Sequence, residues 1–155
     1  MSSFISPQNI SFLQVSVTTN NHRLCSAFES GKSDSKLCFW NLNRNVINVT
    51  EPDRQIIAPG RVRALSYASE NYLLAAGFTN GDIRLLDLET EEWSAPYTGH
   101  KQAVTYIYWK DQILVSGAQD SSFMRWRFSK SKNALQQKGI FVTDKNYGSP
   151  GTILD

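Results

Sequence analysis

The chain has 155 residues, of which 41% are hydrophobic and 19% charged, and its 16 Lys and Arg against 14 Asp and Glu leave a net charge of +2. A chain of this size and composition can bury a substantial core, which excludes disorder as its general state. The small net charge and the lack of any run of about 20 apolar residues predict neither nucleic acid nor a membrane as a partner.

Two cysteines, Cys25 and Cys38, are too few for a disulfide framework and lack the paired spacing of a zinc site. Adding His22 to them would still leave a metal one ligand short. We therefore expect no metal and no cofactor. Because the N-terminal residues also lack the basic and apolar runs of a signal peptide, we expect an intracellular protein, cytoplasmic or nuclear.

Alternating strands of β-forming residues recur along the chain and divide it into three units. In chain order, these strands are predicted at Phe12–Val17, Val62–Tyr67 and Val104–Trp109. A turn and a short apolar strand follow each of them, with Leu73–Ala75 and Ile113–Val115 the clearest. A weaker strand is predicted near the end of each unit, at Val46–Val49, Glu92–Ser94 and Gly139–Val142. Since no window has helical periodicity, the fold class is all-β.

A repeat underlies these units, because residues 30–40, 76–86 and 116–126 superpose without gaps. Four columns agree in chemical type: Gly31, Gly77 and Gly117; Asp34, Asn80 and Asp120; Leu37, Ile83 and Phe123; and Trp40, Leu86 and Trp126. The spacing of about 40 residues predicts repeats at about 10–50, 51–97 and 98–143. Residues 144–155 would then be a tail or the truncated start of a fourth repeat.

The third unit, with Gly99-His100 at its start and Trp126 near its end, resembles the WD40 repeat. It departs from the family pattern where Arg127 follows Trp126, and the middle unit has Leu86-Asp87 in place of Trp-Asp. The resemblance implies a partial β-propeller of about three four-stranded antiparallel blades, spanning residues 10–143.

The same resemblance implies a structural tetrad in the third unit. Trp126 would donate a hydrogen bond to Ser116, Ser116 would bond one ring nitrogen of His100, and the other nitrogen would meet Asp120. The first unit retains a partial tetrad, Ser30, Asp34 and Trp40, whereas the middle unit keeps only Asn80 and should be held by apolar packing.

Ser116, His100 and Asp120 are also the ingredients of a hydrolase triad, which is the alternative function. A nucleophilic serine needs an exposed elbow such as G-x-S-x-G and an oxyanion hole. Ser116 instead ends an apolar strand, Leu114-Val115-Ser116-Gly117. We therefore predict no catalytic residue.

Members of the family act as platforms for other proteins, so the resemblance implies a non-catalytic protein–protein interaction module. The predicted partner-binding residues lie on the loops of one rim: Arg61, Phe78, Tyr97, Lys101 and Gln119. Propellers usually close with 4 to 8 blades, and three would leave two blade faces bare. The chain is then expected to associate with itself, to complete another propeller chain, or to be a truncated, non-functional gene fragment.

Overall fold

A computed structural model describes residues 12–18, 23–30, 34–41, 51–68 and 70–142. Within these ranges the regular structure consists of eleven β-strands in three antiparallel sheets, with no helix. The all-β class predicted from the alternating strands is confirmed. None of the described residues form a helix long and apolar enough to cross a bilayer.

The first sheet has the order β1-β2-β3-β4, formed by Phe12–Thr18, Arg23–Ser30, Asp34–Asn41 and Arg54–Ile57. The fourth strand predicted at Val46–Val49 lies outside the described residues. In the structure β4 occupies the fourth position, with Leu37 opposite Ile56. The first blade therefore extends to Ile57, past the boundary predicted near residue 50.

The second sheet has three strands, β5 (Val62–Ala68), β6 (Leu73–Phe78) and β7 (Ile83–Asp87). The strand predicted at Glu92–Ser94 is not a regular strand. Its place beside β7 is taken by isolated bridges from Trp93 and Tyr97. Ile83 and Tyr97 exchange both backbone hydrogen bonds, at 3.0 and 2.7 Å, so the edge of β7 is covered.

The third sheet has four strands, β8 (Val104–Lys110), β9 (Ile113–Ala118), β10 (Ser122–Ser129) and β11 (Ala134–Val142). In each sheet consecutive strands pair antiparallel, as a meander. The innermost strand of the second blade, β5, contacts the innermost strands of both neighbours, β1 and β8. The three blades thus stand side by side around one axis.

Two apolar cores lie between the blades, so both faces of the second blade are buried. The core between the first and second blades includes Leu37, Phe39, Leu74 and Leu86. The core between the second and third blades includes Leu73, Ile83, Leu85, Val104, Leu114 and Trp126. Ser66 Oγ also accepts a hydrogen bond of 3.0 Å from the Trp109 N–H. The backbones of adjacent blades are therefore close enough near the axis for one short side chain to bridge them.

Gly77 marks the tightest approach between the second and third blades. A Cβ atom at this position would lie 2.5 Å from Cγ1 of Val104, which is fully buried. Because interiors are packed without spare volume, any side chain here would force the two blades apart. The glycine column of the repeat has a packing role at this position.

The Asp/Asn column places two side chains in equivalent turns on the same rim. Asn80 Oδ1 accepts the Asp82 N–H at 3.0 Å, and Asp120 Oδ1 accepts the Ser122 N–H at 3.0 Å. Such local bonds to the residue two positions on are characteristic of Asx turns. The following residue in the second blade, Gly81, has a φ of +93°. A Cβ there would lie 2.3 Å from the His100 carbonyl oxygen, so this turn packs against the start of the third unit.

Candidate functional site

A buried chain of hydrogen bonds joins the loop before β8 to strands β9 and β10. Trp126, on β10, donates its indole N–H to Ser116 Oγ on β9 at 2.9 Å. Ser116 Oγ lies 2.7 Å from His100 Nε2, and His100 is 7% exposed. The structure thus brings Trp126, Ser116 and His100 together in the predicted order.

Ser122 separates His100 from Asp120, where the sequence analysis predicted direct contact. His100 Nδ1 lies 2.7 Å from Ser122 Oγ, which donates to Asp120 Oδ1 at 2.5 Å. The distance from His100 Nδ1 to Asp120 Oδ1 is 3.8 Å, too long for a hydrogen bond. The predicted direct bond is wrong, and the network has five side chains. The position of Ser122 two residues after Asp120, in an Asx turn, was the available signal for it.

The direction of the hydrogen bonds in this network follows from Asp120 and Trp126 at its two ends, together with the charge of His100. An ionised carboxylate only accepts, and an indole N–H only donates. Ser122 gives its single proton to Asp120 and must therefore accept the Nδ1 proton of His100. When the His100 ring is uncharged, its Nε2 carries a lone pair and accepts the Ser116 proton, while Ser116 Oγ accepts from Trp126. His100 is then in the Nδ1–H tautomer.

The electrostatic environment supports this protonation pattern. Burial lowers the pKa of His100, although Asp120 acts in the opposite direction. Partial burial raises the pKa of Asp120, but hydrogen bonds from Ser122 and from the Lys101 and Ser122 backbone outweigh it, so the pKa of Asp120 lies below its ordinary value. At neutral pH the network therefore contains an ionised carboxylate and an uncharged imidazole.

The partial tetrad predicted for the first blade needs a correction. Trp40 pairs with Leu24 and Cys38 with Ser26, as Trp126 pairs with Leu114 and Met124 with Ser116. Ser26, which is 1% exposed, is therefore the structural counterpart of Ser116.

Ser30 and Asp34, which were aligned with Ser116 and Asp120, instead pair with each other near the end of the hairpin. The β2–β3 hairpin is four residues longer than the β9–β10 hairpin, so an alignment without gaps could not keep both strands in register. The middle blade has Ala76 and Leu86 at the tetrad positions, and both are fully buried in its apolar core.

The surroundings of Ser116 do not suit a nucleophile. Ser116 is 0% exposed, and its hydroxyl oxygen already contacts the indole of Trp126 and the imidazole of His100. A substrate carbonyl would have to displace Trp126, which is itself 3% exposed. The geometry therefore favours a structural role for the three triad-like residues.

Two of the predicted partner-binding residues serve the core instead. Phe78 is 2% exposed and packs edge-on against Trp93, with ring centroids 5.9 Å apart, so its prediction as a docking residue is wrong. Tyr97 is partly buried, packs edge-on against Trp126 at 6.0 Å and accepts the Leu135 N–H at 3.2 Å. It connects the second and third blades.

The other three residues, Arg61, Lys101 and Gln119, lie on the rim and form what we term the rim patch. Lys101 and Gln119 are exposed and Arg61 is half-buried. The Lys101 N–H donates to Asp120 Oδ2 at 2.9 Å, and the Gln119 N–H donates to the Ala103 carbonyl at 2.9 Å. Because Asp120 belongs to the buried network, that network fixes the backbone from which two side chains of the rim patch project.

The two cysteines are buried and free. Burial raises the pKa of both thiols, that of Cys38 to about 11, so each remains protonated and unreactive at neutral pH. In the register of β2 and β3, Cys25 faces Phe39 and Cys38 faces Ser26, which puts the two sulfurs on opposite faces. Among the described residues, no group of three or more His, Cys, Asp and Glu side chains is arranged to hold a metal.

Comparison with known proteins agrees with the repeat and the sheets. The family model described as the anaphase-promoting complex subunit 4 WD40 domain matches residues 32–112, more than half of the chain. The chain therefore belongs to the WD40-repeat β-propeller family. The resemblance predicted from Gly99-His100 and Trp126 is confirmed.

Individual relatives are more distant. The chain is 27% identical over 135 residues to Protein ROOT INITIATION DEFECTIVE 3 of Arabidopsis thaliana, covering 81% of this chain and 30% of the relative. It is 29% identical over 69 residues to the Set1 complex component swd1 of Schizosaccharomyces pombe, covering 43% of this chain and 17% of the relative. The chain thus spans less than a third of the length of these curated relatives.

Among solved structures, the β-propeller domain of Myceliophteria thermophila Cps50 (Swd1) is similar, with a TM-score of 0.61 at 16% identity. The match covers 79% of this chain and 42% of that one. At this level of identity the likeness concerns the fold, and it shows that the three blades are arranged as in part of a larger ring.

Proposed function

We propose that the chain is a non-catalytic, intracellular protein–protein interaction module of the WD-repeat scaffold type. The observation that carries this proposal is the use of Ser116, His100 and Asp120 in a buried network that ends at the rim. These three residues, which could form a hydrolase triad, instead hold loops in place. The S. pombe relative is named as a component of the Set1 complex, which supports a role within a multi-protein assembly.

The rim patch is the proposed contact surface for a partner. Rim loops of a rigid sheet scaffold are common sites of recognition, and Arg is enriched among residues that dominate interface energies. The Lys101 N–H donates to Asp120, and the Gln119 N–H donates to the Ala103 carbonyl, so the backbone that carries both side chains is held in place. Their positions are therefore set before a partner arrives, which reduces the entropic cost of binding.

Affinity capture with the full chain tests the rim patch. We expect the double variant Lys101→Ala, Gln119→Ala to lose most captured protein without loss of thermal stability. Its matched control, Lys132→Ala, Gln137→Ala, changes two exposed residues of the same types elsewhere in the third blade and should capture normally. Equal capture by both variants would contradict the rim patch as the contact surface.

The finer proposal concerns assembly with a second copy or with another propeller chain. Ile140 and Val142 on β11, the edge strand of the third blade, are 52% and 70% exposed. Apolar surface of this kind, when contiguous, commonly marks an interaction site. We expect sedimentation of the purified chain to show a dimer or larger assembly, and a monodisperse monomer of 17.5 kDa would contradict self-association.

A further inference from the structure

One face of the third blade points away from the second blade. Its residues differ in chemical type from those on the equivalent face of the second blade. Strand registers make Tyr106, Tyr108, Lys110 and Arg125 equivalent to Ala64, Ser66, Ala68 and Leu85 of the second blade. Those four residues of the second blade are buried against the third. Small or aliphatic residues have thus been replaced by aromatic and cationic ones. We term this surface the third-blade face.

A further blade packed in the same manner does not fit this face. At the Tyr108 position, the second blade has Ser66, whose oxygen directly accepts a backbone N–H of the adjacent blade. A tyrosine ring would hold an incoming strand several ångströms farther away. Covering Arg125 and Lys110 with an apolar blade face would also bury cations without partners, which is strongly unfavourable.

The charges of the third blade favour an acidic partner. Its four strands contain Lys110, Arg125, Arg127 and Lys138 and no Asp or Glu. At one end of the third-blade face lies a groove of about 740 Å³, lined by Tyr108, Lys110, Ile113, Val115 and Arg127.

Two acidic residues, Glu70 and Asp111, also line this groove. They balance Lys110 and Arg127 at that end, while Arg125 stands apart from them at the centre of β10, opposite Val115. The groove can therefore receive apolar side chains of a partner. The positive charge beside it that no acidic residue of the groove balances is that of Arg125.

We propose that the third-blade face binds an extended segment of a partner protein that presents apolar and acidic side chains on the same face. Residues two apart on an extended chain share a face, so apolar side chains can contact Tyr106, Tyr108 and Ile113 while a carboxylate on the same face meets Arg125. This inference rests on the interaction function proposed above but uses a surface separate from the rim patch.

Fluorescence polarisation with synthetic peptides tests the inference on the full chain. The probe is a labelled 12-residue peptide of repeated Val-Ser-Glu-Ser, in which Val and Glu share one face of the extended chain, with a Gln-for-Glu peptide and a Lys-for-Glu peptide as comparisons. We expect the Glu peptide to bind about tenfold more tightly than the Gln peptide, because a charge-assisted pair is lost in the latter.

Charge reversal by Arg125→Glu should abolish that preference and bring about binding of the Lys peptide, a gain that misfolding cannot produce. The matched control is Arg63→Glu, at an exposed arginine of the second blade. It should behave as the unmodified chain. Tyr108→Ala should weaken all three peptides without changing their order.

Equal binding of the Glu and Gln peptides, or equal effects of Arg125→Glu and Arg63→Glu, would overturn the proposal. Dimerisation of the purified chain that Arg125→Glu abolishes would also overturn it, since the occupant would then be a second copy. Unchanged partner capture by the Lys101→Ala, Gln119→Ala variant, together with the expected peptide binding, would instead count against the rim patch alone.

Discussion

The second and third blades share strand order, register and Asx turns, yet they are held together by different forces. The second blade has Ala76 and Leu86 where the third has Ser116 and Trp126, and both of its faces are buried in apolar cores. Within the part of the chain that the structure describes, one face of the third blade is covered, and the blade has an internal network of five polar side chains. The second blade therefore depends on its neighbours for stability, whereas the third blade is also stabilised by hydrogen bonds among its own side chains.

This division explains where polar residues can be tolerated. Apolar contacts are non-directional and weaken wherever a neighbour is missing, so a blade between two others can do without hydrogen-bonded side chains. A blade with an open face gains from bonds that join its own strands to its leading loop. A buried polar network stabilises only when all its members are satisfied, and every member from Trp126 to Asp120 has a partner here.

The largest expected effect comes from the glycine column. Gly77→Ala should destabilise the chain by about 3 kcal/mol or prevent folding, because the new Cβ meets buried Val104 between two blades. The matched change Gly117→Ala should cost less than about 1 kcal/mol, since it meets the Phe123 ring, which is only half-buried and can move. Urea unfolding of both variants measures their losses in free energy of unfolding. Equal losses would show that the surroundings of Gly117 are packed as tightly as those of Gly77.

A double-mutant cycle at His100 and Ser116 should give the next largest effect. His100→Ala removes one hydrogen-bond partner from each of the buried Ser116 and Ser122 hydroxyls and should cost about 1 to 3 kcal/mol. Once either side chain is gone, removing the other should cost much less, so the two changes should be strongly non-additive. Additive effects in chemical denaturation, or single effects near zero, would mean that the network does not act as a unit.

A smaller effect is expected from pH, and its sign follows from His100. In the unfolded chain the pKa of His100 is about 6.5, whereas burial lowers it in the fold. Below pH 6.5 the unfolded state therefore binds a proton that the folded state does not, and stability falls as pH decreases toward the folded pKa. Above pH 6.5 this contribution is constant.

The slope from one histidine cannot exceed about 1.4 kcal/mol per pH unit. Asp120, whose pKa is also lowered, adds its own loss only below about pH 4. Thermal unfolding between pH 7 and pH 5 measures the slope from His100, and the variant His100→Gln should remove it. Retention of the slope in His100→Gln would assign the pH dependence to another group.

The sequence predicted the fold better than the details of the site. The columns at Gly77 and Gly117, Asn80 and Asp120, and Leu86 and Trp126 correctly indicated repeats, because these residues recur at equal spacing in hairpins of equal length. The same alignment failed at Ser30, because the first hairpin is four residues longer and its counterpart of Ser116 is Ser26.

Two further differences have local causes. Ser122 was missed because the family pattern implies a direct bond between His100 and Asp120, whereas the structure places the Ser122 hydroxyl between them. Phe78 was expected on the rim because it adjoins the turn at Asn80. As the last residue of β6 it turns inward against Trp93 instead, and the sequence has no signal for that orientation.

The protonation state of His100 tests most directly the claim that the triad-like residues form a neutral structural chain. Nitrogen-15 NMR of the imidazole at pH 7 should show a protonated Nδ1 and an unprotonated Nε2, with slow exchange of the Nδ1 proton because the ring is 7% exposed. A protonated Nε2, or a charged ring with rapidly exchanging protons, would contradict the account, because Ser116 could not then donate to His100 while accepting from Trp126.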